Sequence, residues 1–501
     1  MEKTLLLVVF LLAFSSFAFA ASLLPQDRII DWSNNGRPKN LIQPKTIFDI
    51  KKDFNAIGDG VVDDSAALIK AIKAADKGGL IYIPEGTYLM KAPMFIQKDN
   101  IWISGAGANK TKIIFDLNDT SDSCITISRN VESNFAKVTS GFEKNSNKIT
   151  VENVGNIVKG GFVEILQDND SSVMYTKPLW EQVWAKNVVG QFLKVVDVSG
   201  NIITTEESLN ITYKKELNVR IRPVDLIQNC GVEKLYIKRL DAGDGNMISF
   251  FNAAYGYING IESDTIMRTH VSVEASYKCE IRDSYFHDAH DYGGGGHGYG
   301  VELKLRSSGC LVENNRFSHL RHSMMVHTGA NGNVFGYNYS KDPFANGDHD
   351  PKTTICDISV HGHYPYMNLF ESNTVQKIEI SDWWGPCGGN TFFRNRIEKE
   401  GVKINDKSNN QNLLGNIIVE GDYGIETSDG VDATTIINHE NRDYGEMSWD
   451  KRIKSDTLPE SLYLKLKPDF LKNSVWPVIG PDCKGRTLIP AEIRMNNKER
   501  E

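Results

Sequence analysis

The chain has 501 residues, a formal net charge of −8 at pH 7, and 42 glycines. The negative charge argues against nucleic acid as a partner, because phosphate backbones are bound by basic surfaces. The seven cysteines contain no C-x-x-C pair, which argues against a zinc site and a disulfide framework but leaves room for one or two bridges.

Residues 1–20 have the pattern of a secretory signal peptide. A charged start is followed by an apolar run from Leu5 to Phe14, and Ala18-Phe19-Ala20 forms an A-x-A cleavage site. The apolar run is short for a membrane span, and no later segment reaches the roughly 18 apolar residues that a span needs. We therefore expect a protein that is secreted, periplasmic or held at the cell surface, with no membrane span.

Residues 53–88 predict a turn, a short helix and two strands. Asp63-Asp64-Ser65 is typical of a helix start, and residues 66–75 carry apolar side chains on one side. Gly78-Gly79 is a helix stop. A helix at this point would cover the open end of a stack of strands, which otherwise exposes unpaired edges.

This opening also resembles that of a known group of proteins. The residues concerned are Phe54-Asn-Ala-Ile-Gly-Asp-Gly60, Ile83-Pro84-x-Gly86-x-Tyr88 and Ile103-x-Gly105-x-Gly107. The segment, about residues 46–115, is similar to the start of the pectate-lyase-like superfamily, which includes rhamnogalacturonase-related proteins and phage tailspike depolymerases. The resemblance implies an all-β fold, the right-handed parallel β-helix, but no particular reaction, because the superfamily holds lyases, hydrolases, epimerases and non-catalytic members.

The rest of the chain divides by pattern. Residues 130–222 alternate apolar and polar side chains and predict an inserted β-rich lobe. We expect an N-terminal cap and first coils over 21–129, the main β-helix coils over 223–440, and a C-terminal tail packed on the helix over 441–501.

A frame of the type N-x-hydrophobic-x-x-N recurs in the main coils. It starts at 256, 279, 310, 333, 368, 390 and 411. The shorter spacings equal one β-helix coil of three brief strands, and the longer ones predict the same coil with a surface loop. The third position should point inward, and the final Asn should stack on the Asn of the next coil as a ladder.

Ten of the eleven histidines lie between residues 270 and 363, which favours a single functional site. Counting back six to eight residues from each frame start reaches the end of the preceding strand. These positions should form an outward-facing stripe across four coils, about 15 Å long at the strand spacing. The stripe consists of Lys304 with Glu302 at its edge, His327, His361 with His363, and Asp382 with Trp383 and Trp384.

The stripe fits an enzyme that cleaves an acidic, uronate-containing polysaccharide by β-elimination. This reaction needs a base, a cation and a proton donor. We expect His327 as the base, Lys304 or Arg306 as the cation and Tyr299 as the donor. The separation of Arg306 and His327 by 21 residues is similar to that of a Lys and Arg pair in chondroitinase B-like and alginate lyases. Asp382 completes the candidate catalytic set, and the expected substrate-binding residues are Arg321, His322, His361, His363, Trp383 and Trp384.

Other functions remain open from the sequence. A glycoside hydrolase of the rhamnogalacturonase or polygalacturonase type would use two carboxylates and the Gly296-His297-Gly298 motif. Its candidate carboxylates are Asp288, Asp291, Asp348, Asp350, Asp357 and Asp382. The third hypothesis is a non-catalytic β-helix that binds glycans at a cell surface. No cofactor is firmly expected, although Asp348-His349-Asp350 and His361-x-His363 offer ligands for Ca²⁺ or a transition metal. We expect a monomer whose partner is a polysaccharide.

Overall fold

The structure is a computed structural model. It describes residues 23–41, 44–172, 185–346, 355–381, 385–421, 424–428, 430–455 and 457–498. The predicted signal peptide lies outside these residues.

Short parallel strands wind into a β-helix in which most coils contribute a strand to each of three faces. The first face, sheet 1, begins with Ile47–Asp49, and its neighbours pair in parallel along the whole stack. Its other strands are Gly79–Ile83, Ile101–Gly105, Gly231–Glu233, Tyr257–Asn259, Glu280–Arg282, Leu311–Glu313, Val334–Gly336, Leu369–Glu371, Thr391–Phe393, Asn412–Leu414 and Ile437–His439.

The second and third faces are joined by two long strands, Thr374–Ile380 and Arg396–Ile404, that run across both. Sheet 2 also holds Asp59–Asp63, Gly86–Met90, Thr111–Phe115, Tyr236–Arg239, Glu262–Ile266, Tyr285–Ala289, Arg316–Ser318, Tyr339–Lys341, Ile417–Ile418, Arg442–Asp443 and Glu446–Met447. Sheet 3 also holds Met94–Ile96, Ile125–Ser128, Ile248–Phe251, Thr269–Glu274, Tyr299–Lys304, His322–Val326, Ile358–Val360 and Ile425–Thr427. A short pair, Ile227–Gln228 and Ala253–Ala254, lies between faces.

The repeated frame is confirmed by the strand register. The seven strands of sheet 1 from Tyr257–Asn259 to Asn412–Leu414 each begin one residue after a predicted frame start, and they pair in that register. The final asparagines form the predicted ladder: the side-chain amide of Asn338 donates to Asn373 Oδ1 at 3.0 Å. The bonds repeat up the stack from Asn315 to Asn338, Asn373, Asn395, Asn416 and Asn441.

The third position of the frame points into the coil, as predicted. Phe335, Phe370 and Phe392 are fully buried, and their rings stack on consecutive coils with centroids 5.0 Å apart at each step. Aliphatic side chains from all three faces fill the rest of the interior. The core is therefore a continuous column, and the outer side chains are left to bind other elements or ligands.

The predicted inserted lobe contains a closed antiparallel barrel. Its strands are Ala136–Ser140, Lys148–Val151, Phe162–Leu166, Gly190–Ser199, Ile202–Thr205 and Arg220–Val224. The barrel packs closely on the coils: a Cβ at Gly329 would lie 1.6 Å from the Val188 carbonyl oxygen, so only glycine fits there. The side-chain amide of Asn331 also donates to the Gly190 carbonyl at 2.8 Å.

Helices are few. Helix α1, Ser65–Ala74, lies where the sequence predicts a helix, and Leu68 and Ala71 join the apolar core. Its role as a cap over the end of the stack stays a prediction. Helix α2 is Pro490–Lys498, and 3₁₀ turns occur at Gln26–Arg28, Lys215–Leu217, Ala433–Thr435 and Asp469–Leu471.

The C-terminal segment packs against sheet 1. Arg394, which is fully buried, binds both carboxylate oxygens of Asp482 at 2.6 and 2.8 Å. All seven cysteines are free thiols, and six of them are buried. Within the described part of the chain, no helix is long and apolar enough to cross a membrane.

Candidate functional site

A cavity of about 630 Å³ lies on the outer surface of sheet 3. Six of the predicted site residues line it together. They are Tyr299, Lys304, Arg321, His322, His327 and His361. The structure therefore gathers Lys304, His327 and His361 of the stripe, with Tyr299, Arg321 and His322, around one concave surface.

The stripe follows the strand register. Lys304, His327 and His361 occupy equivalent positions on three neighbouring coils, because the residues before them pair in parallel. The next equivalent position holds Ser381. The count from the frame start therefore selected Asp382 one residue too late. Asp382 itself lies outside the described residues.

Glu302 lies at the centre of the site. It is buried, and its Oε1 is 2.9 Å from His327 Nε2 while its Oε2 is 2.8 Å from Lys304 Nζ. Lys304 Nζ also binds Glu274 Oε1 at 3.1 Å. The four side chains thus form one charged network on the floor of the cavity.

The network fixes the charges of its members. Burial acts to raise the pKa of Glu302, but Lys304 and His327 outweigh it and hold that pKa well below its usual value. Burial likewise acts to lower the pKa of Lys304, and the carboxylates of Glu302 and Glu274 outweigh it and raise that pKa. Glu302 is therefore ionised and Lys304 is positively charged at neutral pH.

This arrangement also selects a tautomer of His327. An ionised carboxylate only accepts hydrogen bonds, so Nε2 of His327 carries a proton and donates a hydrogen bond to Glu302. In the neutral ring the lone pair then resides on Nδ1, which lies 3.3 Å from the Thr328 hydroxyl. His327 therefore has an oriented nitrogen that can accept a proton.

His361 lies beside His327, with ring centroids 5.8 Å apart. Burial, followed by the neighbouring His327, lowers the pKa of His361 well below its usual value. His361 is therefore neutral at physiological pH and can exchange hydrogen bonds with a ligand without adding charge. His322, which is also buried, binds the Cys356 carbonyl through Nδ1 at 2.8 Å.

The lining of the cavity includes two arginines. Arg321 donates from Nη1 to the Gly293 carbonyl at 2.6 Å, and Arg268 binds Asp244 Oδ1 at 3.1 Å. The glycine-rich segment 294–296 also lines the cavity. Guanidinium groups at the mouth of a cavity suit recognition of a carboxylate or sulfate.

The structure corrects the prediction for Arg306. This residue does not line the cavity; its Nε binds Glu164 of the barrel at 2.8 Å. The cause is the turn after the strand, where Leu305 and Arg306 both have left-handed φ angles, 49° and 64°. The strand alternation ends there, and the Arg306 side chain is directed to the barrel.

His363 also differs from the prediction. It has a φ of 63°, is buried, and is absent from the described cavity lining. Burial, followed by His327, lowers its pKa to about 4. The strand ends at Val360, so the His361-x-His363 pair does not lie on one strand, and the strand alternation does not place both rings on one face. The predicted sugar-stacking residues Trp383 and Trp384 lie outside the described residues.

The carboxylates proposed for a hydrolase are dispersed. Asp357 is fully buried and binds Ser340 and two backbone amides, which is a structural role. Asp291 binds His297 Nδ1 at 2.5 Å, away from the cavity floor, and Asp288 belongs to sheet 2. Asp348 and Asp350 lie outside the described residues. The described carboxylates of the cavity, Glu302 and Glu274, both bind Lys304 and offer no open Ca²⁺ site.

Sequence reasoning gave too little weight to Glu302 and missed Glu274 and Arg268. Glu302 could have been found from the period of two in a strand, because it precedes Lys304 by two residues and shares its face. Glu274 follows from the register, which pairs it with Lys304. No local pattern marks Arg268, because it enters the site from a turn between sheets 2 and 3.

Comparison with known proteins gives a family match for the N-terminal part of the chain. Residues 47–229 match a family described as "Rhamnogalacturonase A/epimerase, pectate lyase-like". This match covers less than half of the chain; together with the parallel β-helix described above, it supports assignment to the pectate-lyase-like superfamily of parallel β-helix proteins.

Individual relatives match over short segments. Mannuronan C5-epimerase AlgE4 of Azotobacter vinelandii is 39% identical over 99 residues, covering 18% of this chain and 17% of the relative. Alginate lyase 7 of the same organism is 43% identical over 70 residues, covering 12% of this chain and 8% of the relative. This chain therefore aligns with less than a fifth of either curated relative.

Among solved structures, tailspike gp61 of Pseudomonas phage phi297 superposes with a TM-score of 0.61 at 14% identity, covering 79% of this chain and 70% of the tailspike. At that identity the likeness concerns the fold alone. The family match ends at residue 229, before the first residue of the cavity. The candidate site therefore rests on the geometry of this chain.

Proposed function

We propose that this protein is a secreted polysaccharide lyase that cleaves a uronate-containing polymer by β-elimination in the cavity of sheet 3. The observation that carries the proposal is the network of His327, Glu302 and Lys304 on the cavity floor. A carboxylate-oriented imidazole beside a lysine is suited to removing a proton next to a carboxylate. The signal-peptide pattern of residues 1–20 supports secretion.

Each step can be assigned to a residue of the cavity. Arg321 at the rim would bind the uronate carboxylate and stabilise the negative charge that develops when the C5 proton leaves. His327 would accept that proton at Nδ1, while Glu302 stabilises the imidazolium that forms. Tyr299 would donate a proton to the glycosidic oxygen as the bond to C4 breaks. Lys304 holds Glu302 ionised and in place.

A second candidate is C5 epimerisation of a uronate, which the similarity to mannuronan C5-epimerase AlgE4 favours. Epimerisation and elimination share the first step, loss of the C5 proton. They differ afterwards, because an epimerase returns a proton to the opposite face and leaves the glycosidic bond intact. The same residues could serve either outcome.

The test is incubation with a panel of polymers that includes polymannuronate, alginate and polygalacturonate. The lyase predicts ultraviolet absorbance from a conjugated alkene, formed with new reducing ends. Reducing ends without this absorbance would instead indicate hydrolysis, and a changed sugar configuration without cleavage would indicate epimerisation. Binding of a polymer without any chemical change would support the hypothesis of a non-catalytic glycan-binding protein.

Variants locate the site. His327→Ala should lower kcat by about 10²–10⁴-fold, the usual contribution of a general base. A matched control is His319→Ala, because His319 is a partly exposed histidine that binds Asp342 at 2.8 Å and does not line the cavity. Retained turnover in His327→Ala, or equal losses in both variants, would contradict this placement of the active site.

A further inference from the structure

We propose that Asp264, His287 and Asp288 form a binding site for a first-row divalent transition metal such as Zn²⁺. One carboxylate oxygen from each aspartate and one nitrogen of the imidazole all lie within 4.8 Å of one another. The residues belong to sheet 2, whereas the proposed lyase cavity lies on sheet 3. The metal site is thus independent of the proposed reaction.

Neighbouring coils bring the three side chains together. Asp264 and His287 pair in register on the adjacent strands Glu262–Ile266 and Tyr285–Ala289. Consecutive strand residues normally point to opposite faces. Asp288 has a φ of 61°, which interrupts this alternation, and its Oδ2 lies 2.8 Å from His287 Nδ1. Two carboxylates therefore flank one nitrogen of the imidazole.

The imidazole is held in a metal-binding orientation. On its other side, His287 Nε2 lies 3.3 Å from Glu262 Oε1. The Tyr285 ring stacks on it with centroids 4.3 Å apart and planes 26° apart. A carboxylate on the far nitrogen of a metal-binding histidine fixes the tautomer that leaves the near nitrogen as a ligand. Here that ligand atom is Nδ1, the one facing both aspartates.

Asp264 is oriented by its own partners. Lys238 Nζ binds its Oδ2 at 2.9 Å, and the Tyr236 hydroxyl binds the same oxygen. Its other oxygen, Oδ1, lies 3.9 Å from His287 Nδ1 and accepts a hydrogen bond from Thr265 at 2.6 Å. Lys238 therefore leaves Oδ1 beside the imidazole, where a second lone pair can bind a cation.

The donor set selects the kind of metal. One imidazole and two carboxylates suit Zn²⁺ or Mn²⁺, whereas Ca²⁺ requires six to eight oxygen ligands. The side chain of Asp288 is 47% exposed, so an ion has access from solvent and water can complete the coordination. The site is thus open on one side.

The experiment is isothermal titration of the full chain with ZnCl₂, and with CaCl₂ as the comparison. We expect one tight Zn²⁺ site and no comparable Ca²⁺ binding. His287→Gln and Asp288→Asn should remove that site, and Glu262→Gln should weaken it about 10–100-fold through loss of orientation. Co²⁺ substitution gives a second measurement, because its visible absorption reports the ligand geometry and should change in each variant.

The histidine-rich cavity provides the control. His327→Gln should leave Zn²⁺ binding unchanged, because His327 belongs to sheet 3. Circular dichroism establishes that each variant is folded, and Asp288→Asn, on a half-exposed side chain of nearly the same shape, keeps the test informative if His287→Gln unfolds. The proposal is overturned if the wild-type chain does not bind Zn²⁺, if folded His287→Gln or Asp288→Asn binds it equally well, or if His327→Gln abolishes binding.

Discussion

Replacement of Glu164 by Gln tests how much a buried ion network between the inserted barrel and the coils contributes to stability. Glu164 is fully buried, and its two carboxylate oxygens bind Arg306 Nε at 2.8 Å and Arg222 Nε at 2.7 Å. Burial acts to raise the pKa of Glu164, but the two guanidinium groups outweigh it and hold that pKa below its usual value. The variant keeps the shape of the side chain and removes its negative charge.

The expected loss of stability follows from the burial of this network. Removing one partner of a buried ion pair costs about 3–5 kcal/mol, because the remaining charge loses its counter-ion. The side chains of Arg306 and Arg222 are 14% and 24% exposed, so water can compensate them in part. We therefore expect the free energy of unfolding to fall by about 3 kcal/mol, the lower end of that range.

The assay is urea unfolding, with the free energy extrapolated to water. A matched control is Asp168→Asn, because Asp168 binds Arg220 of the same barrel at 2.8 Å but has a side chain that is 49% exposed. A surface pair of this kind should contribute less than about 1 kcal/mol. Equal losses in the two variants would refute the argument from burial.

Further predictions concern the coil stack and its response to pH. Asn338→Ala removes four buried hydrogen bonds to adjacent coils. At about 1 kcal/mol for each bond, the free energy of unfolding measured in urea should fall by about 4 kcal/mol. The control, Asn201→Ala on an exposed residue, should lower it by less than about 0.5 kcal/mol. Burial raises the pKa of Glu371 from 4.5 to about 8, so its stabilising effect is present below pH 4.5 and is lost as the pH rises towards 8. The melting temperature should fall over that interval, and fall less in Glu371→Gln. Burial and His327 lower the pKa of His361 from 6.5, so His361 favours folding above pH 6.5 and loses this effect on acidification. His361→Gln should therefore reduce the loss of melting temperature below pH 6.5.

The fold was predictable from the sequence because the same types of side chain recur in every coil and have the same structural role there. An asparagine ladder needs an amide at the same turn of every coil, as Asn338 and Asn373 show. A column of stacked rings needs an apolar residue at the same strand position, as Phe335 and Phe370 show. Each coil repeats both requirements, so the register could be read without knowing the lengths of the intervening loops.

The site was less predictable because its residues depend on where each strand ends. At Arg306 and His363, residues with positive φ end the alternation of the strand and redirect the side chain. A positive φ is uncommon for residues other than glycine, asparagine and aspartate. The residue types at 306 and 363 therefore do not predict that the strand ends there. A count from the frame therefore reaches the right turn, while the side chain that faces the cavity varies by one or two positions.

Glu302 shows which kind of reasoning would have improved the prediction. The frame located Lys304 and His327 on neighbouring coils, and the ammonium group of Lys304 needs a counter-ion once it is partly buried. A carboxylate on the same face can meet that need from two residues earlier in the strand, which is where Glu302 lies. Its bonds to both residues hold an imidazole and a lysine together on one coil boundary. A search for the counter-ion of Lys304 on the outer face of its strand would thus have identified Glu302, which the frame spacing placed only at the edge of the stripe.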